Sequence, residues 1–75
     1  METAYSRALD AHLRRTGQSQ AAFARATGYT QASVWQWVRG HRIPGKRAAR
    51  LLDQATEGAV PFALWKAARI ERLDA

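Results

Sequence analysis

Gly17, Gly28 and Gly40 fall eleven and then twelve residues apart, each directly after a run whose apolar residues recur with helical spacing. Glycine accepts the left-handed backbone that ends a helix, so this spacing predicts short helices separated by tight turns. The first run, from Thr3 to Thr16, puts Tyr5, Ala8, Leu9, His12 and Leu13 on one stripe. It closes on Arg14 and Arg15, cations suited to the negative end of a helix dipole. The second run is short and rich in alanine, with Ser19 as its N-cap and Gly28 as its terminator. Thr30 caps the third, Gln31 to Arg39.

The third run is the ambiguous one, because Val34, Trp35, Trp37 and Val38 surround a single Gln36. With a period of two, both tryptophans share one face of a strand. With a period of 3.6, Val34, Trp37 and Val38 share one face of a helix and Trp35 is left outside. Every neighbouring segment is helical and a lone strand has nothing to pair with, so the helical reading holds. Trp37 then faces inward and Trp35 outward.

Beyond Gly40, Pro44 pushes Ile43 away from helical geometry, which makes residues 41–44 a loop. Pro44 suits the first turn of a fourth helix, with Ala48, Leu51, Leu52 and Ala55 on its apolar face and Gly58 closing it. The tail from residue 60 is helical in composition, with Phe62, Trp65, Ile70 and Leu73 as its large apolar residues. The expectation is an all-α domain of four to five helices spanning residues 1–75.

A chain of 75 residues buries a modest core, and small domains commonly add disulfides, a metal or a partner. The absence of cysteine excludes disulfides and thiolate metal sites, and His12 and His41 are too few for a histidine zinc site. No cofactor, metal or small-molecule ligand is expected. Met1 is followed by Glu2 rather than an apolar run, and no segment approaches a membrane span. The expected location is the bacterial cytoplasm or nucleoid.

Charge is more informative by position than in total. Between Asp10 and Asp53 there is no acid, while Arg14, Arg15, Arg25, Arg39, Arg42, Lys46, Arg47 and Arg50 all fall there, a block of +8. The remaining Arg7, Lys66, Arg69 and Arg72 stand against six acids. Positive charge confined to the middle of a small domain fits a polyanion, most often nucleic acid.

Two short helices joined at Gly28-Tyr29-Thr30 make a helix-turn-helix over about residues 20–39. Ala24 is small where the second helix crosses the first, Gly28 supplies the turn, and Phe23, Val34 and Trp37 are apolar where the helices press together. The run Gln20, Ala24, Gly28, Val34, Trp37, Arg39-Gly40 resembles the lambda-repressor-like, Cro/repressor-type helix-turn-helix. The closing Trp37-Val38-Arg39-Gly40, followed by a basic loop with Pro44, resembles the Cro-like YdaS group of phage and prophage regulators. The likeness covers about residues 6–60.

That resemblance implies a DNA-binding repressor, dimeric on double-stranded operator DNA, whose third helix enters the major groove. It implies that Gln31, Ala32 and Gln36 meet base edges, and that Gln20 bonds a phosphate and braces the first reader. The chemistry agrees, since glutamine bonds adenine bidentately and an alanine methyl touches the thymine methyl. Thr30, Ser33, Arg39, His41, Arg42 and Lys46 are the candidate phosphate contacts, which fix register without reading sequence.

Trp35 departs from the family pattern, in which that position is commonly polar. The expectation is that it stacks on deoxyribose or a thymine methyl at the groove edge, which places Trp35 with Gln31, Ala32 and Gln36 among the base-reading residues. Contact with a partner subunit and folding over the neighbouring loop are the alternatives. In the tail, Phe62, Leu64 and Trp65 form either a dimerisation element within 60–75 or a cover for their own core.

Three other classes compete with a repressor. An enzyme is disfavoured, for there is no nucleophile–base set, carboxylate pair or phosphate-cradling loop. A membrane-surface helix is disfavoured because the bases are spread over several helices and loops. A protein-interaction module of antirepressor or toxin-partner type would use the outward Trp35 and the apolar tail. It would leave Gln31, Gln36 and the acid-free block without a role.

Overall fold

Thr3 opens the first helix by a reciprocal cap. Its hydroxyl accepts from the Ser6 amide at 3.1 Å, while the Ser6 hydroxyl accepts from the Thr3 amide at 2.7 Å. The structure, a computed structural model, describes residues 2–74, and side chains through residue 70. It contains α1 (Ala4–Thr16), α2 (Gln20–Thr27), α3 (Gln31–Arg39), α4 (Lys46–Ala55) and α5 (Phe62–Asp74). The domain is all-α, and no strand occurs among the described residues.

The first three helices end as their sequences require. Ser19 and Thr30 accept from the amides of Ala22 and Ser33, and Gly17, Gly28 and Gly40 all take left-handed conformations. On α1, Tyr5, Leu9 and Leu13 enter the core, and His12 sits edge-on to Phe23 with ring centroids 6.2 Å apart. His12 is thus the part-buried core residue its place on the stripe suggests.

The fourth helix differs from expectation at both ends. Gly45 is its N-cap, so Pro44 lies before the helix rather than in its first turn. Pro44 is buried, and its carbonyl accepts from the indole nitrogen of Trp65 at 2.6 Å, which draws it toward α5. The helix stops at Thr56, whose hydroxyl donates to the Leu52 carbonyl at 2.7 Å and accepts from the Val60 amide at 3.0 Å. Glu57 and Gly58 then both turn left-handed, so Gly58 completes the turn after the cap. Rotation of α4 also buries Ala49 in place of Ala55, which is exposed, while Leu51 is half-buried.

The core joins all five helices. Leu9, Val34, Ala49, Leu52, Val60 and Ala68 are wholly inaccessible, with Phe23, Ala24 and Trp37 beside them. Trp65 belongs to this same core, and Phe62 stacks on it at 4.8 Å. Phe62 and Leu64 are half-buried against their own chain. Of the remaining large apolar residues in the tail, Ile70 is exposed and Leu73 lies outside the described side chains. Among the described residues no helix is long and apolar enough to cross a membrane.

Candidate nucleic-acid interface

A short turn and a small residue hold α2 and α3 together. The Tyr29 amide bonds the Ala24 carbonyl at 3.0 Å, and Gly28, at φ 80°, lets the chain reverse there. Ala24 is buried where the helices meet, as its size requires. Tyr29 sits edge-on to Trp37 with ring centroids 5.1 Å apart, closing the angle between the helices. The inner face of α3 is Val34, Trp37 and Val38. Its outer face carries Gln31, Ala32, Trp35 and Arg39, all exposed, with Ser33 and Gln36 half-buried at one edge.

The exposed ridge of α3 stands between two clefts. One, of about 550 Å³, is lined by Glu2, by Asp10 and Arg14 of α1, by Gln20 of α2, and by Trp35, Val38, Arg39 and His41, so two acids share it with the two arginines. The other, of about 370 Å³, lies against the segment after α3 and is lined by Ser33, Gln36, Arg42 and Arg47 among others. Gln36 and Gln20 therefore look into different clefts. No Gln20–Gln31 hydrogen bond forms among the described residues, so the bracing implied by the family resemblance is not made in the free protein.

The candidate phosphate contacts divide by how committed they already are. The Thr30 hydroxyl accepts from the Ser33 amide and donates to the Ser33 hydroxyl at 3.0 Å, so both side chains serve the helix cap. Arg42 and Lys46 are exposed and make no ion pair among the described residues. Arg14 is bonded to Asp10 at 3.0 Å, an exposed pair on α1. Arg47, which belongs to the acid-free basic block but not to the candidate phosphate contacts, lines the same cleft as Arg42 and Gln36 at the start of α4. The first turn of α4 contains no acid and Gly45 supplies no side-chain cap, so Lys46 and Arg47 add to the positive end of the helix dipole. The adjacent pair of bases just after Gly45 was the available signal.

Trp35 is outward, as the helical period requires, but it is not free-standing. Its ring stacks on His41 at 5.3 Å with 24° between the planes, and the Arg39 guanidinium lies 5.8 Å from its centroid. Of the three readings of Trp35, folding over the neighbouring loop is the arrangement present. Trp65, expected in a dimerisation element or as a cover for its own core, provides that cover at 4% exposure.

A ridge of amide and methyl side chains between arginine-bearing walls is suited to hydrogen-bonding base edges while the walls engage phosphate. Residues 13–62 match the family model described as Bacterial toxin YdaS, from the last turn of α1 to the first residue of α5. No curated protein and no solved structure matches the chain.

Proposed function

The chain belongs to the bacterial toxin YdaS family, and from that premise we propose that it is a sequence-specific regulator of transcription that binds double-stranded DNA. In this reading it is a Cro-like phage or prophage repressor, dimeric on a pseudo-palindromic operator. The observation that carries the proposal is the exposed ridge of α3, with Gln31, Ala32 and Gln36 set between clefts lined by Arg39 on one side and Arg42 and Arg47 on the other.

In this role α3 enters the major groove and the two glutamines bond base edges. Arg39, His41, Arg42, Lys46 and Gln20 hold the flanking phosphates, while Thr30 and Ser33 fix the start of α3 and present it to the backbone. One such helix reads only a few base pairs, so two subunits would sit with half-site centres one turn apart, ~34 Å. Phe62 and Leu64 are only partly covered by their own chain and remain the candidates for contact with a partner subunit. Repression follows from occupying an operator that overlaps a promoter, with occupancy set by the protein's own concentration.

Fluorescence anisotropy tests this directly. DNA from immediately upstream of the gene and a scrambled duplex of equal length are titrated with protein at two salt concentrations. Tight, salt-sensitive binding that prefers the upstream DNA supports the proposal. Absence of binding at low salt overturns it.

A further inference from the structure

Trp35 is the most exposed aromatic residue of α3, at 45%. It lies on the exposed side of α3, yet one aromatic partner and one cation already occupy its surroundings. Gly40, at φ 74°, turns the chain back at the end of α3, and the His41 amide bonds the Gln36 carbonyl at 2.9 Å. The Arg42 amide reaches the same carbonyl at 3.3 Å. This doubled cap fixes where His41 leaves the helix and brings its ring onto Trp35, 5.3 Å away and 24° from parallel. Arg39 is one helical turn beyond Trp35, so its guanidinium reaches the same indole at 5.8 Å. One indole thus gathers two donor-bearing side chains from either side of the glycine.

We infer that Trp35 is a positioning residue, whose indole holds Arg39 and His41 in one fixed cluster at the C-terminal end of α3 for contact with the DNA phosphodiester backbone. This rests on the DNA-binding reading above and names how one wall of that interface is built. Cation–π contact with an indole leaves a guanidinium its N–H donors for a phosphate, and stacking fixes the plane of the imidazole beside it. Ordering these side chains before the encounter removes part of the entropy lost when they dock. A tryptophan that read bases would instead have to leave His41 and Arg39 and expose them as separate, mobile donors.

The two roles leave different signatures. Each phosphate contact contributes about 0.9 to the slope of log K against log salt. If Trp35 positions Arg39 and His41, Trp35→Ala lowers that slope by up to about one, the share of the Arg39 contact, and weakens operator and scrambled DNA by the same factor, about tenfold. Trp35→Phe keeps an aromatic face and recovers most of the loss. In the free protein, the ring protons of His41 resonate upfield in the wild type, and that ring-current shift collapses in Trp35→Ala. Circular dichroism confirms that both variants remain helical.

An unchanged salt slope with affinity lost only on operator DNA would overturn the inference and make Trp35 a base reader. A His41 spectrum indifferent to Trp35→Ala would overturn it without DNA, because the cluster would not exist in solution. If the wild type shows no salt-dependent DNA binding while the ring-current shift is present, the DNA-binding reading is what fails, and the phosphate role fails with it.

Discussion

The indole nitrogen of Trp65 donates to the carbonyl of Pro44 at 2.6 Å, a buried bond spanning 21 positions of the chain. It fastens α5, which lies beyond the family match after its first residue, to the segment that leaves the candidate recognition helix. Phenylalanine at position 65 would keep the stack on Phe62 but strand the Pro44 carbonyl in the interior. Trp65→Phe should cost about 1–3 kcal/mol in urea denaturation, the range for a buried acceptor left unpaired. Operator affinity should fall as well, because the segment bearing Arg42 loses its anchor.

Tyr5 presents the opposite case. Its hydroxyl is buried and has no hydrogen-bond partner among the described residues, and burial first, then the Asp53 carboxylate, pushes the phenol well above its ordinary range. Tyr5→Phe removes a polar atom that bonds nothing, so at neutral pH it should leave stability unchanged or raise it by about 1 kcal/mol. The linkage runs downward with alkali. The folded state holds the Tyr5 proton where the unfolded chain releases it, so this stability is complete below about pH 10 and is lost as pH rises further. Thermal melts between pH 8 and 11 should show a shallower alkaline decline in Tyr5→Phe than in the wild type.

At Gly28 the expected cost is conformational alone. Its φ is 80°, and a Cβ built there would meet nothing within 4 Å. Gly28→Ala should therefore destabilise by about 1–2 kcal/mol through the left-handed backbone, with no clash to relieve. For a domain this size each kcal/mol lowers the melting temperature by about 4–8 °C. Gly28→Asn should cost less, since asparagine tolerates that conformation.

Thr30 separates folding from binding. Its hydroxyl accepts from the Ser33 amide at 3.1 Å, so Thr30→Ala should lose about 1 kcal/mol of stability. Thr30→Asp keeps the cap and adds a negative charge at the positive end of α3, which suits the helix. The same charge faces the proposed phosphate path. The aspartate variant should melt at or above the wild-type temperature yet bind DNA more weakly at low salt. Equal DNA binding by wild type and Thr30→Asp would remove Thr30 from the interface.

The parts of this fold governed by neighbours in sequence were legible from sequence. Ser19, Thr30, Gly17, Gly28 and Gly40 mark the ends of α2 and α3 and the close of α1 because caps act over three or four residues. The inward turn of Trp37 and outward turn of Trp35 follow from helical period. What escaped depends on distant partners. Pro44 sits before α4 rather than inside it, with its carbonyl committed to Trp65. Ala49 replaces Ala55 in the core because α4 is rotated by what it packs against. The stack of Trp35 on His41 depends on the direction in which Gly40 releases the chain. Arg47 gains its place beside Gln36 from the same loop.

The central claim is that α3 reads DNA sequence, and the most direct measurement is the ratio of affinities for operator and scrambled DNA in Gln31→Ala and Gln36→Ala. The account predicts that each substitution lowers operator affinity by about 1–3 kcal/mol and collapses the ratio, while binding to scrambled DNA and its salt slope stay as in the wild type. A ratio unchanged in both variants would contradict it, because Gln31 and Gln36 would then carry no sequence information.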